Sequence, residues 1–227
     1  MTFNTQHCLN FRTREIEFGC FSEEILSHGA DIAGLNEMRG KGPLKGYTDQ
    51  TARLSELTGM NYYFGKAINV AGTSPYGNAI LSKYPIISAE TVKIPDPEEK
   101  TGNNSYETRC IIKAIIRAEK EYTVLVTHMG LNFDERENAV KTLLSLAPDK
   151  KCIIMGDFNC TPDSEEIKPL FEKYRCSDIK DHTFPSDAPN KKIDYIFTSE
   201  DIEVINKGTS PNVVSDHLSQ WIEIEEN

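Results

Sequence analysis

The chain has 227 residues, 38% of them hydrophobic and 26% charged, which suits one compact domain with a sizeable core. Its 25 Lys and Arg against 35 Asp and Glu leave a net charge of −10. No Lys/Arg-rich stripe is present, which disfavours long nucleic acid, because binders of duplex gain affinity by neutralising phosphates and releasing counterions.

No apolar run approaches the roughly 20 residues a membrane-spanning helix needs. The N-terminus, Met1-Thr2-Phe3-Asn4, lacks the basic start and apolar stretch of a secretory signal. The six cysteines (Cys8, Cys20, Cys110, Cys152, Cys160, Cys176) form no C-x-x-C pair, so thiolate zinc is not expected and reduced thiols are. A cytoplasmic monomer without internal repeats or a dividing linker is the expectation.

Strand-like runs recur along the chain: Thr2 to Leu9, Asp31 to Glu37, Asn61 to Val70, Asn78 to Ser82, Ile86 to Lys93, Arg109 to Arg117, Tyr122 to His128, Cys152 to Phe158, Ile193 to Thr198 and Leu218 to Ile224. Helical patterns are fewer. Ile16, Cys20 and Ile25 share a face in a segment ending near His28-Gly29. Val140, Leu143 and Leu144 repeat at helical spacing after Asp134, the expected cap. Ile167, Leu170, Phe171 and Tyr174 do so after Thr161-Pro162, although Pro169 is expected to cost that helix a hydrogen bond. Many strands joined by short polar turns such as Glu119-Lys120-Glu121 predict packed sheets with helices outside them.

Chemistry-bearing residues gather at strand ends. The apolar run Cys152-Ile153-Ile154-Met155 stops at Gly156-Asp157-Phe158-Asn159, where Asp157 and Asn159, two apart on extended backbone, are expected on one side. These are also ordinary turn residues. Other strands run into Asn36-Glu37 and Thr127-His128. Asp194 lies inside the apolar alternation Ile193-Asp194-Tyr195-Ile196-Phe197, where burial without a partner would be costly. Asp216 and His217 adjoin before the last strand. If Glu37, Asp157, Asp194 and Asp216 converge, each pair at ~4 Å would repel by about 4 kcal/mol at an effective dielectric near 20. A divalent cation would relieve that, and oxygen ligands suit magnesium, manganese or calcium.

The ordered series Thr2-Phe3-Asn4, Leu35-Asn36-Glu37, Gly77-Asn78-Ala79-Ile80-Leu81-Ser82, Thr127-His128, Gly156-Asp157-Phe158-Asn159, Ile193-Asp194-Tyr195 and Ser215-Asp216-His217 resembles the endonuclease/exonuclease/phosphatase superfamily. The resemblance spans residues 2 to 217 and implies an α+β fold, a four-layer αββα sandwich of two mixed sheets flanked by helices. It implies a phosphoesterase using Mg2+, with Mn2+ as the alternative, in which Glu37 and Asp216 lie at the metal. Asp157 is then the residue that activates or orients water, Asn159 a phosphoryl contact, and His217 the stabiliser of the transition state, oriented by Asp194. His128 becomes a further phosphate contact, and Asn4 and Asn78 are expected on the substrate side; Arg109, read from its place at a strand start, either clamps the substrate phosphate or is simply solvated. Whether Asp157 or His217 is the base stays open.

Departures from the family pattern narrow the substrate. Asn36 stands where glutamine is common, and Thr127-His128-Met129 replaces the tyrosine-containing segment of apurinic endonucleases. The loop His182 to Pro189 looks like that of small bacterial metal-dependent hydrolases, and its Phe184 either shapes a substrate pocket or belongs to a rigid surface loop. Arg136 is expected to brace the helix that follows His128. A small or headgroup-sized phosphoester is the expected substrate, with a nuclease and a catalytically silent scaffold as the alternatives.

Overall fold

The computed structural model describes residues 1–177 and 180–225. The first sheet contains β1 (Thr2–Asn4), β2 (Ile32–Arg39), β3 (Asn61–Val70) and β4 (Ser74–Ser82). The second contains β5 (Ile86–Lys93), β6 (Cys110–Arg117), β7 (Glu121–His128), β8 (Cys152–Asp157), β9 (Arg175–Cys176) and β10 (Asp194–Thr198), after which β11 (Glu203–Thr209) and β12 (Gln220–Glu225) return to the first. The orders are β11-β12-β1-β2-β4-β3 and β5-β6-β7-β8-β10-β9. Each sheet is mixed: β1 pairs parallel with β2 and β7 with β8, against antiparallel neighbours.

Alternation along the strands builds the layers. Ile153 and Met155 of β8, Val124 and Val126 of β7 and Ile80 of β4 enter one cluster shared by the two sheets. Ile154 and Leu125 point the opposite way, onto Ala139, Val140 and Leu143 of helix α3 and Leu170 of α4. Ala79 and Leu81 of the first sheet likewise meet Phe21 and Ile25 of α1 and Leu54 of α2. Side chains at i and i+2 share a face, so each buried strand feeds two cores. The result is the αββα sandwich of two mixed sheets.

The helices are α1 (Phe18–Ser27), α2 (Gln50–Thr58), α3 (Phe133–Leu146) and α4 (Lys168–Lys173). Two sequence expectations about them need correction. Helix α3 is capped by Asn132, not Asp134, in a capping box with Glu135. Pro169 lies in the first turn of α4, where the missing N–H has no helical partner to lose, so it costs no hydrogen bond there; the residues before it, Glu165–Ile167, form a 3-10 turn. Helix α2 gives little periodic signal because its buried face holds Gln50 and Thr51 beside Leu54. Strand β11 is largely exposed and bulged between Val204 and Asn206, which hides it in the same way.

The first strand is also shorter than its apolar run. It stops at Asn4 because Gln6, His7 and Cys8 take φ values of 45°, 51° and 59°, a left-handed turn that no strand can continue through. The polar end of β1 is thereby turned toward the rim of the sandwich.

Candidate active site

The residues singled out at strand ends occupy two facing rows. In the second sheet, His128, Asp157 and Asp194 are direct register partners across β7, β8 and β10. In the first, Asn4 is paired with Asn36 across β1 and β2. Sheet register therefore converts separate sequence motifs into one site.

Hydrogen bonds join the rows. Asn4 Nδ2 donates to Asp157 Oδ2 at 2.9 Å and to Glu37 Oε1 at 3.2 Å. Asn36, fully buried, accepts the Asp157 backbone N–H at 3.0 Å and donates to Thr127 O at 2.8 Å and to Asn78 Oδ1 at 2.9 Å. A buried amide inside an apolar strand is stable only when so paired. Asn36 is thus a staple between the sheets, a role its sequence position only hints at through the polar interruption of Gly34-Leu35-Asn36-Glu37. Asn78, expected on the substrate side, spends both ends of its amide internally, on Asn36 and on Cys110 O at 3.0 Å.

Backbone conformation aims the acids. Glu37 has φ 62°, at an irregularity where β2 slips against β4 between Leu35 and Met38. Such a bulge turns a side chain out of strand alternation. Gly156 has φ 145°, and a Cβ there would lie 1.8 Å from Thr127 O on the parallel neighbour. Only glycine lets β8 approach β7 closely enough to bring Asp157 beside His128. Asn159, with φ 50°, is not on an extended segment as its spacing suggested. A left-handed turn instead brings its N–H to Asp157 Oδ1 at 2.9 Å, while its Nδ2 donates to Met129 O at 2.9 Å.

Asp157 Oδ2 is the meeting point. His128 Nε2 lies 3.6 Å from it and His217 Nε2 3.7 Å, too long for hydrogen bonds. His217 Nδ1 is 2.9 Å from Asp194 Oδ2, which also accepts Thr183 Oγ1 at 2.5 Å. Thr183 was not singled out by sequence; it comes from the loop before β10. That loop packs Phe184 against the His217 ring at 4.8 Å between centroids, and its Ser186 N–H donates to Asp216 O at 2.7 Å. Phe184 and its loop therefore set the Asp216-His217 segment in place. Asp216 itself accepts Gln6 Nε2 at 2.8 Å.

Burial and mutual charge shift the titrations. Asp157 is raised to about 7, by desolvation first and then by Asp194. Burial alone would lower His217, but Asp194 and Asp157 outweigh it and raise the imidazole to about 10. His128 is driven well below the ordinary range by burial, by Arg109 and by His217. Glu37 is raised by burial, against its hydrogen bond from Asn4, and further by Asp216.

Two groups of residues could face a cation. Donor atoms of Asp157, Asp194 and His217 lie within 4.8 Å of one another. The hydrogen bond between His217 Nδ1 and Asp194 accounts for part of that grouping without an ion. Glu37 and Asp216 are the other pair: they repel each other, and nearby Gln6 Oε1 is buried with no hydrogen-bond partner among the described residues. This all-oxygen, electron-rich set fits a hard divalent cation.

Arg109 Nη1 sits between Glu107 Oε1 at 2.7 Å and His128 Nδ1 at 3.2 Å. Tyr76 of β4 joins this corner, its phenol electrostatically coupled to Glu37 and Arg109. Arg136 does brace its helix, pairing with Glu166 at 2.5 Å and donating to Leu131 O at 2.8 Å. No helix among the described residues is long and apolar enough to cross a membrane, and all six cysteines are free.

Solved structures share this architecture. An endonuclease/exonuclease/phosphatase from Beutenbergia cavernae aligns over 98% of this chain and 70% of its own, with a TM-score of 0.81 and 19% identity. A family protein from Leptotrichia buccalis aligns over 99% and 98%, at 0.77 and 17%. A mannosyl-6-phosphatase from Bacteroides thetaiotaomicron aligns over 92% and 90%, at 0.71 and 16%. The sequence model of the Endonuclease/Exonuclease/phosphatase family matches residues 1–217, and the chain belongs to that family.

Proposed function

We propose that the protein is a metal-dependent hydrolase of a small or headgroup-sized phosphoester, acting by in-line attack of water. The observation that carries this reading is Asp157 Oδ2 faced by His128 Nε2 at 3.6 Å and His217 Nε2 at 3.7 Å, with Asn4 holding it from below at 2.9 Å. A carboxylate near pH 7 in its titration can take a proton from water, and two ring nitrogens beside it can donate to phosphoryl oxygens.

Each residue then has a task. Asp157 orients the water and accepts its proton. His217, held by Asp194 and Thr183, presents Nε2–H where negative charge grows in the transition state. His128 and Asn159 contact the remaining oxygens. Asn4 and Asn36 keep the two rows in register. Glu37 and Asp216 would hold the cation, Mg2+ or Mn2+, which supplies Lewis acidity to a nonbridging oxygen. Phosphoryl transfer is dominated by such positioning and electrostatics.

The net charge of −10 supports a substrate that needs few cationic contacts. One structural neighbour is a phosphatase of a phosphorylated sugar, which agrees with a small substrate without assigning one. The test is turnover of sugar phosphates, lipid headgroup esters, bis-p-nitrophenyl phosphate and plasmid DNA, across a salt series and after exhaustive chelation. Loss of turnover on chelation, with small esters preferred and a shallow salt slope, is expected. Full activity without metal would remove the cation from the reading. Efficient plasmid cleavage that collapses with salt would make the protein a nuclease.

A further inference from the structure

His128 enters the site with a defined proton position. A guanidinium carries only donors and stays charged, so a ring nitrogen facing it has to offer its lone pair. Arg109 Nη1 lies 3.2 Å from His128 Nδ1, within hydrogen-bonding distance of it. The proton of the neutral ring is consequently on Nε2, the nitrogen 3.6 Å from Asp157 Oδ2. Were the ring protonated at both nitrogens, Nδ1–H would point at a cation inside a buried corner.

Arg109 is itself held from several sides. Glu107 Oε1 is 2.7 Å from the same Nη1, an ion-pair contact, and the Tyr76 phenol lies close enough to feel the guanidinium's charge. The Glu107 backbone N–H donates to Glu135 Oε1 at 3.2 Å, and Glu135 Oε2 is occupied by the backbone N–H of Asn132 in the capping box of α3. The start of α3 therefore positions Glu107, Glu107 positions Arg109, and Arg109 faces the ring.

Resting on the hydrolase reading for its catalytic consequence, we infer that Glu107 and Arg109 are positioning residues that lock His128 as the Nε2–H tautomer. His128 is then a neutral, fixed donor to a phosphoryl oxygen, complementary to His217, whose proton position is set by a carboxylate. The two imidazoles flanking Asp157 are wired oppositely: Nδ1 of His128 accepts from a cation, and Nδ1 of His217 donates to an anion. Nothing in the one-dimensional motif pattern distinguishes them.

The experiment is a two-bond proton–nitrogen correlation spectrum of protein labelled with 15N-histidine. The chain has five histidines, so the spectrum of His128→Gln identifies the His128 signals by their loss. Wild type at neutral pH should show His128 protonated at Nε2 alone. Arg109→Gln, whose amide carbonyl can accept from Nδ1–H, should move population to the other tautomer. In wild type, an Nδ1–H or doubly protonated His128 would overturn the inference, whatever becomes of the variants.

Kinetics on bis-p-nitrophenyl phosphate adds a second readout. His128→Gln can place an amide N–H near Nε2, whereas His128→Asn places it nearer Nδ1. The glutamine variant should retain more kcat than the asparagine variant, which should lose about a hundredfold, the scale for removing one preorganised donor. Glu107→Gln should lower kcat with little change in KM, since it displaces a donor without removing a substrate contact. A rise in KM with an unchanged tautomer in Arg109→Gln would instead make Arg109 a direct substrate ligand and refute the positioning role. If wild type turns over no ester, the hydrolase reading fails while the wild-type spectrum still decides the tautomer.

Discussion

Asp157 and Asp194 face each other as register partners on adjacent antiparallel strands, each only 1% exposed, and His217 lies against both. Two buried carboxylates this close favour a shared positive charge, which the raised His217 supplies. The ring is therefore part of what makes the acidic pair tolerable.

The first expectation concerns His217 and Asp194 as a unit. His217→Ala and Asp194→Asn should each lower kcat by at least about a hundredfold. The double variant should lose far less than the product of the two, because the second change removes a partner already idle. Multiplicative losses in steady-state kinetics would show that Asp194 does not act through His217.

Asp157 links activity to stability. Its carboxyl is raised to about 7, so activity should rise with pH through that region as the base form appears. Folding stability moves oppositely: between the unfolded value near 3.8 and about 7 the folded state holds a proton that the unfolded state has released. Stability should fall as pH rises across that window. Asp157→Asn should abolish most activity yet raise the melting temperature at pH 7 in chelator. An asparagine has one acceptor oxygen, so either Asn4 Nδ2 or the Asn159 N–H loses its partner, at about 1–3 kcal/mol, against a gain on the order of a few kcal/mol from removing a buried charge. A lower melting temperature would mean that Asp157 is well solvated or fully compensated.

Gly156→Ala should be severe. The new methyl would meet Thr127 O at 1.8 Å with φ at 145°, so backbone has to move. A loss of more than about 3 kcal/mol in denaturant unfolding is expected, as for other forced backbone clashes. A near-neutral result would show that β7 and β8 can separate at no cost.

Asn36→Ala should separate the two rows. It deletes the acceptor for the Asp157 N–H and the donor to Thr127 O and Asn78 Oδ1, all buried. Leaving such groups unpaired costs about 1–3 kcal/mol each before relaxation. Unfolding should show a loss of several kcal/mol, and kcat should fall with it. Retained stability would mean water replaces the amide.

Much of the architecture was legible from local pattern. The runs Asn61 to Val70 and Ile86 to Lys93 are β3 and β5 residue for residue, because β-branched and aromatic residues such as Tyr62, Tyr63, Phe64, Ile86, Ile87, Thr91 and Val92 suit a pleated strand. Helix α2 and strand β11 left no clear pattern, one burying polar side chains and the other lying mostly exposed.

By itself, the sequence determined where polar residues end or interrupt the apolar strands. Tertiary structure decided which of them meet. Asn4 and Asp157 are 153 residues apart, and only the strand order places them 2.9 Å apart. Glu37 is aimed by a bulge and Asn159 by a left-handed turn, both of which override strand alternation. Asn36 takes its role from Asn78, Thr127 and Asp157, all far along the chain. Strand alternation is a local steric property, whereas a hydrogen bond between sheets exists only after the chain has closed on itself.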